Sequence, residues 1–159
     1  MYGAGIRGGW KNYRFPIIVF VLFLQFDIIH TMTAQDAAKF WIEGADDAMA
    51  TAQALMDAKR YHHALFFCHL AIEKALKAKI VVATNEPPLP IHDLLRLAEI
   101  SKLVTTTGEQ LVWLREIDKF NIAARYDDYK RRFYKQATVT FATLWFGRVK
   151  ELLIWLNKN

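Results

Sequence analysis

"HHALFFCHLAIEKALKAKI", residues 62–80, decides how this chain folds. Ala64, Leu65, Cys68, Ala71, Ile72, Ala75 and Leu76 recur at intervals of three and four, the spacing of one helix face, and the pattern predicts a helix over about 60–83. Glu73 lies four residues before Lys77, the favourable orientation for a helical ion pair. Polar groups run through the same segment. His62, His69 and Glu73 are offset by seven and then four residues, so they share one stripe, with Phe66 between them and Lys77 one turn further on. A partly buried carboxylate needs a charged or hydrogen-bonding partner to offset its desolvation. Two partners suit Glu73: Lys77 on the same helix, with His69 as a hydrogen-bonded histidine at the core edge, or Arg125 arriving from another helix.

Working outward, Trp41, Ala45, Ala48, Ala52 and Leu55 repeat at helical spacing, and Thr33 with Asp36 supplies a start signal, so a first long helix is expected over 33–57. Glu86-Pro-Pro-Leu-Pro90 cannot continue a helix and forms a stiff connection. A short helix over about 91–102 follows, with His92 and Asp93 at its start as cap and anchor. Thr106 and Glu109 read as a capping box for a helix through Leu111, Leu114 and Ile117, ending near Asn121. After the polar stretch 125–135, Ala142, Trp145, Val149, Leu152 and Leu156 mark a final long helix. No strand pattern or repeat follows Met32. The expected fold is all-α, an antiparallel up-and-down helical bundle of four main helices plus a short one.

The length of 159 residues suits one domain with a real core, and 53 % apolar against 23 % charged residues belongs to a globular chain. Residues 1–31 differ from the rest: a glycine-rich basic start precedes FPIIVFVLFLQFDII. The apolar run 17–24 is too short to span a bilayer, and Gln25 and Asp27 interrupt it. Three readings stay open for this segment: an extension upstream of a natural start at Met32, a weak signal or anchor, or an extra element packed on the domain of residues 32–159. Of the net charge of +5, Arg7, Lys11 and Arg14 against Asp27 supply +2, leaving a weak overall nucleic-acid signal and no expectation of DNA binding. A single cysteine, Cys68, sits in the apolar stripe as a buried thiol, which fits the reducing cytoplasm; stable membrane association is not expected.

The chemistry-bearing patterns are few. His69 and Glu73 give two metal-type ligands on one helix with no matching set elsewhere, so neither a metal nor a cofactor is expected. Ser101 is the only serine, no Gly-x-Ser-x-Gly occurs, and Gly44, Gly108 and Gly147 are isolated, which disfavours nucleophilic hydrolysis and a glycine-rich phosphate loop. The segment Arg125-Tyr-Asp-Asp-Tyr-Lys-Arg-Arg-Phe-Tyr-Lys135 mixes five cations and two carboxylates with four aromatic rings. It reads either as a solvated charge run or as a surface for phosphates and stacked bases.

Together, "YHHALFFCHLAIEKALKA", the proline-rich loop with "IHDLLRLAE", and "NIAARYDDY" before a final amphipathic helix resemble a prokaryotic HEPN domain over about 32–159. The resemblance implies a helical bundle, often a homodimer, frequently encoded beside a small nucleotidyltransferase in a toxin–antitoxin or defence unit. Many such domains are metal-independent ribonucleases marked by an arginine followed after four to six residues by histidine. This chain departs from that mark: Arg125 matches the arginine, but Lys130 or Arg131 stands where the imidazole belongs, and no histidine follows His92. A proton-exchanging group near neutral pH is thus missing from the motif. The resemblance therefore implies a nucleotide- or RNA-binding or interaction module without its own ribonuclease activity, in which Arg125, Lys130 and Arg131 meet phosphate, Tyr126 stacks on a base or is modified, and Glu73 orients Arg125. Two alternatives stand beside it: a divergent ribonuclease pairing Arg125 with His62, His69 or His92, and a structural helical scaffold.

Overall fold

The computed structural model describes residues 33–102, 108–125 and 132–158, with only the backbone described at 124 and 125. The readings made for residues 1–31, for the Thr106 cap, for the Arg125 side chain and for Tyr126, Lys130 and Arg131 therefore lie outside the described residues.

Helix α1 spans Ala34–Asp57 and α2 spans Tyr61–Thr84. Thr33 caps α1 by accepting from the Asp36 amide at 3.1 Å. The two helices are joined by a tight turn in which Lys59 takes a left-handed φ of 58°, with Arg60 N–H donating to Leu55 O at 2.8 Å. So short a turn forces them to run antiparallel. The α1 side of the contact is almost all alanine: Ala37, Ala38, Ala45, Ala48 and Ala52 are buried. Small side chains bring the two backbones close. Gly44 belongs to the same seam, since a Cβ there would stand 3.2 Å from the Lys74 side chain.

Helix α2 is the central element, packed by α1 and by each helix that follows. Its buried residues lie around much of its circumference, Leu65, Cys68, Ile72 and Leu76 on one side and Ala71, Ala78 and Val81 on others. A helix apolar nearly all round is one surrounded by protein, which is why the opening stretch reads as core throughout. It ends at Asn85, whose left-handed φ of 58° makes it a C-cap donating to Val81 O at 2.8 Å.

Helix α3 spans Leu94–Ile100 and α4 spans Gly108–Arg125. Two aspartates satisfy the free amides at the start of α3: Asp93 accepts from Arg96 N–H and Asp118 of α4 accepts from Leu94 N–H, each at 2.9 Å. Helix α4 runs four residues beyond the expected end near Asn121, because Phe120 and Asn121 are buried and hold its last turns against the core. Inside the stretch read as polar lies a further short helix, α5, Arg132–Gln136. Phe133 anchors it, buried with its ring 5.8 Å from that of Phe120. Helix α6 spans Val139–Lys158 and buries Ala142, Trp145, Phe146, Val149, Leu152 and Leu156.

Ring contacts set the direction of α6. Phe120 meets Phe141 and Trp145, and Arg148 lies over Trp145 and Trp113, so numbers rise along α4 as they fall along α6. The four long helices form the up-and-down bundle, with two short helices rather than one among the described residues, and no strand is present among them. No helix among the described residues is long and apolar enough to cross a membrane.

Candidate functional site

The polar stripe of α2 resolves into two separate places. In its middle, Glu73 is 3 % exposed. Its Oε1 accepts from Lys77 Nζ at 2.7 Å, and both of its oxygens lie 3.0–3.1 Å from His92 Nδ1, which the proline-rich connection brings back across α2. His69 Nε2 is 3.3 Å from Oε2, within ion-pair reach but not aligned as a hydrogen bond, while its Nδ1 is 3.3 Å from the Ile117 carbonyl of α4. Both neighbours of the His69 ring are acceptors, so a neutral ring donates to only one of them at a time. The Lys77 ammonium, also buried, sits 5.1 Å from the centroid of the Trp41 ring, a cation–π contact that joins α1 to the cluster.

Burial alone would raise the Glu73 pKa. The close approach of His69, the hydrogen bond and charge of Lys77 and the His92 hydrogen bond outweigh it and hold the carboxyl at about 2. Glu73 is thus an anion with described partners on every side. Its burial does not require Arg125. Sequence reasoning paired Glu73 with Lys77, set His69 beside them and placed His92 and Asp93 at the start of α3, but missed that His92 closes on Glu73 and that Asp118 caps α3. Only the long-range fold supplies those partners.

The second place is the start of α2. His62 stacks on His63 with ring centroids 3.9 Å apart, and Tyr134 of α5 meets His62 edge-on at 5.0 Å. Tyr134 and His63 are exposed, and His62 is half-buried. Helix α4 ends at Arg125 toward this same end of the bundle, and α5 begins at Arg132. The structure thus brings His62 to the end where α4 finishes, leaves His69 inside the core, and sends His92 to the Glu73 cluster. Phe66 and Phe67 stack edge-on one turn along.

Two further features of α2 lie apart from its polar stripe. Cys68 is fully buried, and burial pushes its thiol up to about 12, which makes it unreactive. A shallow groove of about 330 Å³ between α1, α2 and α6 is floored by Ala45, Ala75, Ala78 and Leu153 and also lined by Asp46 and Lys79.

Comparison with protein families matches residues 38–159 to the HEPN domain. Among curated proteins nothing matches. The crystal structure of TT1696 from Thermus thermophilus superposes with a TM-score of 0.67 at 22 % identity, covering 76 % of this chain and 96 % of that one. At that identity the likeness shows the fold.

Proposed function

The chain belongs to the HEPN domain family, and from that premise we propose that it is a nucleotide- or RNA-binding interaction module, a homodimer that works as the partner of a small nucleotidyltransferase in a toxin–antitoxin or defence-type unit and does not itself cleave RNA. The observation that carries the binding reading is the meeting of His62 with Tyr134 at the end of the bundle where α4 finishes in Arg125. Accessible rings offer stacking faces to bases, and cations beside them meet phosphates; that combination binds single strands with little sequence preference. Arg125, Tyr126, Lys130 and Arg131 join it as the expected ligand contacts. The absent motif histidine supports a binding rather than a cleaving role.

Isothermal titration with nucleoside triphosphates and with a short single-stranded RNA tests the binding, and co-purification with the product of the adjacent gene tests the partnership. Binding that weakens in Tyr134→Ala and Arg125→Ala is expected. No heat with either ligand and no co-purified partner would leave the scaffold reading in its place.

A second reading is favoured by one observation: among the histidines of the described residues, His62 and His63 lie at the end of the bundle that Arg125 approaches. A divergent ribonuclease would use His62 with Arg125. Cleavage of mixed RNA by the wild type that vanishes in both Arg125→Ala and His62→Ala would establish it, and equal background rates in all three would remove it.

A further inference from the structure

His92 stands apart from the binding end of the bundle, and its surroundings fix which ring nitrogen carries hydrogen. Its side chain is 59 % exposed while that of Glu73 is 5 % exposed, so the contact joins a surface ring to an interior anion. Nδ1 faces both oxygens of Glu73, at 3.1 and 3.0 Å. A carboxylate at ordinary pH only accepts, so Nδ1 carries hydrogen, and in the neutral form of the ring the lone pair lies on Nε2. Lys77 also holds Oε1, and His69 borders Oε2, so the carboxylate that aims the ring is itself fixed. Buried carboxylates that orient an imidazole in this way serve wherever a histidine must act through its other nitrogen.

A metal ion at Nε2 would need further ligands, and among the described residues no group of three His, Cys, Asp or Glu side chains converges to hold one. A covalent acceptor role needs only the lone pair, and histidine is a side chain that forms such intermediates. We propose that His92 Nε2 is an acceptor site for a phosphoryl group delivered by a donor with a good leaving group, of the phosphoramidate or acyl-phosphate class. In the step, the Nε2 lone pair forms a bond to phosphorus while the bond from phosphorus to the leaving group breaks. From phosphoramidate, whose nitrogen is already protonated, the leaving group departs as neutral ammonia with the bonding pair. The ring becomes an N-phosphoryl imidazolium whose Nδ1 proton stays on the Glu73 side, and its new positive charge lies beside a carboxylate already in place to balance it. Of the groups around that carboxylate, Lys77 and His69 come from α2, the Trp41 ring from α1 stands over Lys77, and the Ile117 carbonyl of α4 borders His69. Glu73 is a positioning residue here and His92 the acceptor.

The full chain treated with potassium phosphoramidate at neutral pH, quenched in alkali and mapped by mass spectrometry tests the site. His63, exposed and with its ring against that of His62, serves as the internal reference. Phosphorylation of His92 several-fold faster than of His63 is expected, with the preference lost in Glu73→Gln and no label at position 92 in His92→Gln. Label distributed evenly between the two positions, or an unchanged rate at His92 in folded Glu73→Gln, overturns the proposal. Should Glu73→Gln fail to fold, nitrogen-15 spectra of the wild type decide: hydrogen on Nδ1 supports the site and hydrogen on Nε2 overturns it.

Discussion

The middle of α2 and its first turn carry similar residue types and put them to opposite uses. At the middle, Glu73, Lys77 and His69 are withdrawn from water and tied to one another, to His92 and to Ile117. At the first turn, His62 meets both His63 and Tyr134, whose rings reach the surface. The difference teaches that polar residues woven through an apolar helix do not by themselves mark a ligand site. Where a charge is desolvated, its partners are fixed by the fold and their job is to hold helices in place. Where rings keep part of their surface in water, as Tyr134 and His63 do, no such desolvation fixes their partners.

The contrast breaks most visibly at Glu73. Glu73→Ala leaves Lys77 as a buried charge stripped of its counter-ion and should cost about 3–5 kcal/mol of stability in urea unfolding. A loss no larger than that of a surface substitution would erase the distinction between the two regions. The acid limb of stability sharpens the same point. Glu73 titrates at about 2 in the folded chain against an ordinary 4.5, so the unfolded chain takes up the proton first. Its contribution is complete above about pH 4.5 and is lost as the pH falls through about 2, a change of about 3 kcal/mol over that window. Urea midpoints measured from pH 5 to pH 2 should fall less steeply in Glu73→Gln than in the wild type.

At the other region the expected effect moves from folding to binding. Tyr134→Ala should cost about 1–3 kcal/mol of affinity for single-stranded RNA, read by fluorescence anisotropy. Unfolding should shift by less than about 1 kcal/mol. Asp93→Ala gives the smallest change, about 1 kcal/mol of stability from the lost cap of α3, because Asp118 still holds the Leu94 amide.

The long helices were legible because apolar spacing is a local property: α1, α2 and α6 declare themselves within their own residues. Helix α5 was hidden because its one buried anchor, Phe133, sits among cations whose charges dominate a reading by composition. The extension of α4 past Asn121 depends on what packs against its end, which no window of sequence contains. The same division runs through the site. The Glu73–Lys77 pair is written in a spacing of four, whereas the His92 contact joins residues 19 apart in sequence across the proline-rich return. The expectation that a buried Glu73 needs a charged partner rested on its desolvation, and of the two partners weighed the described residues show Lys77, with His92 and His69 beside it.

The chain's one thiol is enclosed by the helix that every other long helix covers. A maleimide or disulfide reagent in solution meets Cys68 only when that enclosure parts. The rate at which the protein takes up such a reagent therefore counts openings of the bundle, a clock set into the interior that needs no engineered label and runs without disturbing either polar region.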